Sequence, residues 1–178
     1  MKQAQRSKVP VWVNAITANP LTSLPAPCYN DPVWLIAPRT NASTYGDGSL
    51  RPFVWGLFAR AAFAIVQYCI ENGRVIVQGV LAGPVPSFIQ TSPLAELCAA
   101  VHAIRNTEDV PGRQYHTDCE WVINGWLKGP EGTTRCTHVH ADWWRALFKA
   151  IDSRQWPMGL VKVKAHETKT EAEKNGTC

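Results

Sequence analysis

Three carboxylates stand in settings where they could do chemistry. They are Asp47 in Tyr45-Gly46-Asp47-Gly48-Ser49, Glu96 in Ala95-Glu96-Leu97, and Asp118 in His116-Thr117-Asp118-Cys119. Each has a plain structural reading: an Asp-Gly turn, a favourable charge in the first turn of a helix, and a helix N-cap. Gathered at one end of a sheet they would repel one another strongly unless hard cations with oxygen ligands neutralised them. Such a trio therefore points to divalent-metal chemistry, provided the elements around it converge.

The elements that must position these groups are legible in outline. Ser43 to Ser49 reads as a strand with Asp47 near its end, where glycines let backbone or ligand approach closely. Arg60 to Tyr68 and Arg74 to Leu81 read as the next two strands, joined by the hairpin chemistry of Glu71-Asn72-Gly73 into an antiparallel meander. Ser92 as N-cap and Pro93 as first helical residue open a helix running to about Arg105, with Leu94, Leu97, Val101 and Ile104 on one stripe and Glu96 at its edge. Gln114 to Asp118 is a short strand, which puts Asp118 at a carboxyl end. Glu120 to Leu127 and Ala141 to Ile151 read as helices, the second buried through Trp144, Leu147, Phe148 and Ile151. Leu160 to Lys164 is a last strand. The order predicts an α/β fold with helices packed on a sheet.

Composition narrows the setting. A chain of 178 residues with 46% apolar side chains suits one core, and its net charge of +4 helps it meet an acidic polymer without making it a nucleic-acid-coating protein. The six scattered cysteines lack the density of a disulfide scaffold, which favours a reducing compartment. The polar, basic amino terminus has no apolar run of the kind a signal peptide needs, so an intracellular protein of the nucleus or cytoplasm is expected, not a secreted or membrane one. Residues 1–40 carry Pro10, Pro20, Pro25, Pro27, Pro32 and Pro38 and read as a leader or tether.

Asp47-Gly48-Ser49, Ala95-Glu96-Leu97 opening a helix, Thr117-Asp118-Cys119 after a strand and Lys164-Ala165-His166 after a strand, in that order, resemble type 1 ribonuclease H. Ala141-Asp142-Trp143-Trp144 resembles that family's helix before the last strand. The resemblance covers residues 41–178 and implies a ribonuclease H-like domain with a mixed five-stranded sheet, three antiparallel strands and then two parallel, flanked by helices. It implies that Asp47, Glu96 and Asp118 bind Mg²⁺ or Mn²⁺. It also implies that His166, on a loop, assists proton transfer or product release, and that two metal ions promote hydrolysis of the RNA strand of an RNA/DNA hybrid. Gly48, Ser49, Ser92 and Thr117 are candidates for 2′-hydroxyl contacts, and Lys128, Arg135, Lys162 and Lys164 for phosphates.

The chain departs from the family in one respect. The family's fourth carboxylate is an aspartate opening a final helix, and no aspartate follows Asp152; only Glu167, Glu171 and Glu173 remain. The expectation is a C-terminally truncated domain with a weakened second metal position. Three alternatives accompany it: a ribonuclease H region of a reverse transcriptase or retroelement, joined through the proline-rich leader; a non-catalytic nucleic-acid-binding scaffold; and a zinc module using Cys119, Cys136, His138 and His140.

Overall fold

The structure, a computed structural model, describes residues 33–36, 43–52 and 59–164. Its strands are β1 (Val33–Ile36), β2 (Ser43–Pro52), β3 (Ala59–Glu71), β4 (Arg74–Pro84), β5 (Gln114–Thr117) and β6 (Gly159–Lys162). Its helices are α1 (Ser92–Asn106), α2 (Glu120–Thr133) and α3 (Ala141–Asp152). The strands form one sheet in the order β1-β4-β3-β2-β5-β6. Within it β2, β3 and β4 are the antiparallel meander, while β5 pairs parallel to β2 and β6 parallel to β5. The expected mixed five-stranded sheet is present. β1, from the stretch read as a leader, adds an antiparallel edge strand on β4.

The β3–β4 turn forms because Asn72 and Gly73 both take left-handed backbone angles (φ 52° and 72°), the arrangement that matches the twist of flanking strands and that Asn-Gly tolerates. Both strands run longer than their apolar alternation suggests, since each continues as long as its partner offers hydrogen bonds. The register slips once, between Gln67 and Tyr68.

Helix α1 is the centre of the molecule. Every residue from Leu94 to Val101 is buried, as are Ala103 and Ile104, so the helix is enclosed nearly all round instead of along a single stripe. Ala95, Cys98, Ala99 and Ala100 explain this: small side chains let the helix lie closely between β2 and β3 on one side and α3 on the other. Leu94, Leu97, Val101 and Ile104 supply the larger volume, each contributing about 1.5–3 kcal/mol on burial. The helix is capped by Thr91, whose Oγ1 accepts from the Leu94 amide (3.3 Å). The cap is thus one residue earlier than the expected Ser92, which is the first helical residue. At the other end Arg154 donates to the carbonyls of Ile104 (2.8 Å), Thr107 (3.0 Å) and Glu108 (2.7 Å), satisfying one orphan acceptor of the helix and fixing the segment that follows it.

Helix α2 breaks at Gly129, which is left-handed (φ 71°, ψ −177°), and Pro130 starts the second segment, a position where its missing N–H costs nothing. The first segment corresponds to the expected short helix. Helix α3 buries Trp144, Leu147 and Phe148 as expected, with Trp144 packed on Trp121 (ring centroids 5.1 Å apart) and Phe148 (6.2 Å). The Trp144 ring lies directly over Gly125 of α2, filling the space a side chain there would occupy. No helix among the described residues is long and apolar enough to cross a membrane.

Gly125→Ala would drive a methyl group into the Trp144 ring. We expect it to destabilise the protein by about 1–3 kcal/mol, the usual cost of over-packing, read as a lower urea midpoint at unchanged slope.

Candidate metal centre

Asp47 lies within β2, opposite Ala64 of β3, and five residues before the strand's last residue, Pro52. It is neither the strand end nor the Asp-Gly turn that its local sequence allows, because β3 continues to pair with β2 well past it. Gly48, opposite Phe63, is where β2 meets α1. A Cβ at Gly48 would fall on the amide nitrogen of Glu96 and the carbonyl carbon of Ala95, so only glycine lets strand and helix backbones approach this closely.

Glu96 belongs to the second turn of α1, not the first, because the cap is Thr91. The helix-dipole explanation for an acid here is correspondingly weak, since that effect fades beyond the first turn. The residue is 7% exposed, and the Gly48 amide donates to its carboxylate. Its Oε2 is buried and no donor among the described residues reaches it. Asp118 follows the last residue of β5. It is not the N-cap of α2; that position is held by Cys119, which makes no side-chain capping bond.

These three elements bring Asp47, Glu96 and Asp118 together, with one carboxylate oxygen from each lying within 4.8 Å of the others. The electrostatic consequence is large. Burial, followed by the charge of Asp47, pushes the Glu96 carboxyl up to about 9; the Gly48 hydrogen bond opposes the shift and Asp118 adds to it. Tyr45, two residues before Asp47 and on the same face of β2, is held far above the usual phenol range by burial and then by Asp118, Asp47 and Glu96. A tyrosine sharing a sheet face with the central aspartate is a parity signal that could have marked Tyr45 as part of the site. Tyr115, fully buried on β5, lies against Gly46 and is likewise shifted upward, by burial and then Glu96.

A hard divalent cation fits this arrangement. The donors are all oxygen, the clustered negative charge disfavours itself, and a buried carboxylate oxygen has no donor. Asp47, Glu96 and Asp118 are the residues that would hold it. The zinc-type grouping of Cys119, Cys136, His138 and His140 does not converge among the described residues. His140 instead sits before α3 in a left-handed conformation (φ 61°), 3.4 Å from Thr91 Oγ1, linking the starts of α1 and α3.

The other expected contact residues are more dispersed. Gly48 and Ser49 adjoin Asp47 on β2, and Ser92 is exposed in the first turn of α1. Thr117 is fully buried and its hydroxyl accepts from the Cys119 amide (3.2 Å), a bond that shapes the turn presenting Asp118. Lys128, Arg135, Lys162 and Lys164 are exposed, with Lys162 3.7 Å from Glu120. His166 lies outside the described residues.

No protein-family model and no curated protein matches the chain. Solved structures do. The chain is similar to LC9-RNase H1, described as a type 1 RNase H with the type 2 active-site motif, at 11% identity and a TM-score of 0.52, over 76% of this chain and 68% of that one. RNase H1 from the halophilic archaeon Halobacterium salinarum NRC-1 matches at 16% identity and a TM-score of 0.45, over 70% of this chain and 86% of that one. The fold is ribonuclease H-like, and the carboxylate cluster is built on it.

The charge cluster predicts a pH signature. Glu96 binds its proton more tightly in the folded than in the unfolded state, so without metal its contribution to stability is full below about pH 4.5 and is lost as pH rises toward 9. Metal-free protein should therefore melt at falling temperature from pH 5 to 9, and Glu96→Gln should flatten that slope and raise Tm at pH 8 by about 2–4 °C or more. Adding Mg²⁺ or Mn²⁺ at pH 8 should raise the wild-type Tm and leave that of Glu96→Gln nearly unmoved. Scanning calorimetry across pH, with and without metal, checks both.

Proposed function

We propose that this protein is a metal-dependent endoribonuclease that hydrolyses the RNA strand of RNA/DNA hybrids, with Asp47, Glu96 and Asp118 as its metal-binding carboxylates. The observation that carries the reading is the convergence of these three groups, from β2, α1 and the end of β5, on a ribonuclease H-like sheet. Bound Mg²⁺ or Mn²⁺, in the two-ion arrangement, supplies Lewis-acid activation of water and neutralises charge on the phosphate.

The chain's own residues supply the rest. Gly48 keeps β2 and α1 close enough for Asp47 and Glu96 to share a cation, and its amide fixes the Glu96 carboxylate. Asp118 completes the set from a turn held by Thr117. Tyr45 is held protonated beside the carboxylates, so it adds no further negative charge there. Exposed Ser49 and Ser92 are hydroxyl donors flanking Asp47 and preceding Glu96, suited to 2′-hydroxyl recognition. We further propose His166 as the group assisting proton transfer or product release, and nucleus or cytoplasm as the location.

The test is cleavage of an end-labelled RNA/DNA hybrid in Mg²⁺ or Mn²⁺, with duplex DNA alongside. Hybrid-specific cutting that stops with chelator and falls by about 10²- to 10³-fold in Asp118→Asn, on the scale of losing a main electrostatic group, is the expected result. Hybrid bound but uncut by the wild type would favour the scaffold alternative.

A further inference from the structure

Tyr115 of β5 is fully buried, and its Oη makes no hydrogen bond of good geometry among the described residues. A buried phenol usually finds a partner for its hydroxyl. The position of this one is set by a glycine. Tyr115 pairs with Thr44 in the parallel ladder, yet a Cβ at Gly46, two residues further along β2, would fall on the Tyr115 Oη and the ring edge beside it. The ring therefore leans along β2 toward Asp47 instead of standing over its own pairing partner.

Two groups flank that hydroxyl. On β5, Thr117 is near enough for its hydroxyl to oppose the upward shift of Tyr115, and Thr117 Oγ1 itself accepts from the Cys119 amide (3.2 Å) in the turn that carries Asp118. On the helix side is Glu96. Gly46 and Gly48 share one face of β2 at a spacing of about 7 Å, and Gly48 is where α1 touches the strand and where an amide donates to the Glu96 carboxylate. Of the charged groups, Glu96 acts most strongly on Tyr115. Its Oε2, like the Tyr115 Oη, is buried without a partner among the described residues. A phenol O–H is a donor, and a carboxylate oxygen can ligate a cation through one lone pair while accepting a hydrogen bond through the other.

We infer that Tyr115 is a positioning residue of the metal centre: its Oη accepts from the Thr117 hydroxyl and donates to Glu96 Oε2, tying the turn that presents Asp118 to the helix that presents Glu96. This rests on the metal-binding role proposed above and adds to it the link between two of the three carboxylates. With a cation bound, Glu96 is ionised and acceptor-only, and ligating carboxylates are themselves held by hydrogen bonds. Gly46 is the matching half of the device, since any side chain there would displace the phenol. Tyr115 acts through Glu96 and takes no part in bond breaking.

The experiment titrates Mn²⁺ into metal-free protein and reads free Mn²⁺ by electron paramagnetic resonance, for the wild type and for Tyr115→Phe, which removes only the hydroxyl. Affinity should fall about 10- to 100-fold, the range for losing a hydrogen-bond partner of a metal ligand. The Tm of the metal-free variant should not fall, since the hydroxyl removed is unpaired there. Adding Mg²⁺ should also produce a tyrosine difference band in the near-ultraviolet absorption of the wild type and of Tyr45→Phe that is absent from Tyr115→Phe. Equal Mn²⁺ affinity with and without the hydroxyl, or a band that survives its removal, would overturn the inference and leave the proposed function standing. A weakening matched by a comparable fall in the metal-free Tm would overturn it in favour of a packing role. No Mn²⁺ binding by the wild type would overturn the carboxylate centre, and with it the proposed function and the link together.

Discussion

The backbone-to-backbone contact at Gly48 is the constraint from which the rest of the site follows. A strand and a helix ordinarily keep the distance that side chains impose, and at that spacing two carboxylates from the two elements would each be solvated separately. Removing one Cβ lets β2 settle on α1 at the Ala95–Glu96 peptide. The small residues around Glu96 serve the same end on the helix side, allowing α1 to be pressed between the sheet and α3 without voids.

Closeness of this kind has an electrostatic cost that the fold accepts rather than relieves. Apart from the Gly48 amide, the influences on Glu96 are burial and other acids, and no basic side chain is among them. The buried arginines stand elsewhere: Arg154 and Arg113 bind the far end of α1 and its loop, with Glu108 and Asp109 as partners. A fold that ties its buried arginines to the far end of α1 and gathers three carboxylates at the other holds a place for an external cation.

Much of this arrangement was readable in the residues, and the gaps have identifiable causes. The Asn72-Gly73 turn and the core helix were legible because local chemistry and tertiary structure agree there. The cap of α1 was off by one because Thr91 and Ser92 are adjacent hydroxyl residues and Pro93 is tolerated at either of the first two helical positions. The length of β2 depends on how far β3 accompanies it, a property no local window contains, so the local sequence puts Asp47 near an end and the structure puts it within the strand. β1 was obscured by Pro32 and Pro38, yet these prolines bracket the apolar run Val33-Trp34-Leu35-Ile36 instead of interrupting it, as edge strands allow. The carboxylates were recognisable through their family resemblance and their elements together. Tyr45 is not legible from its local sequence, because its relation to the site appears only when the parity of β2 is read from Asp47.

The pairing of β2 with β5 spans only Thr44–Tyr115 and Tyr45–His116, and β3, β4 and α1 intervene between these strands in the chain. Parallel contacts across such a separation are among the slower ones to form, and until they do Asp118 has no fixed relation to Asp47 and Glu96. A nascent chain emerging in order would complete the meander and helix first, with Asp47 and Glu96 in place and Asp118 still apart. The complete three-carboxylate set therefore exists only once the short β2–β5 pairing has closed the sheet.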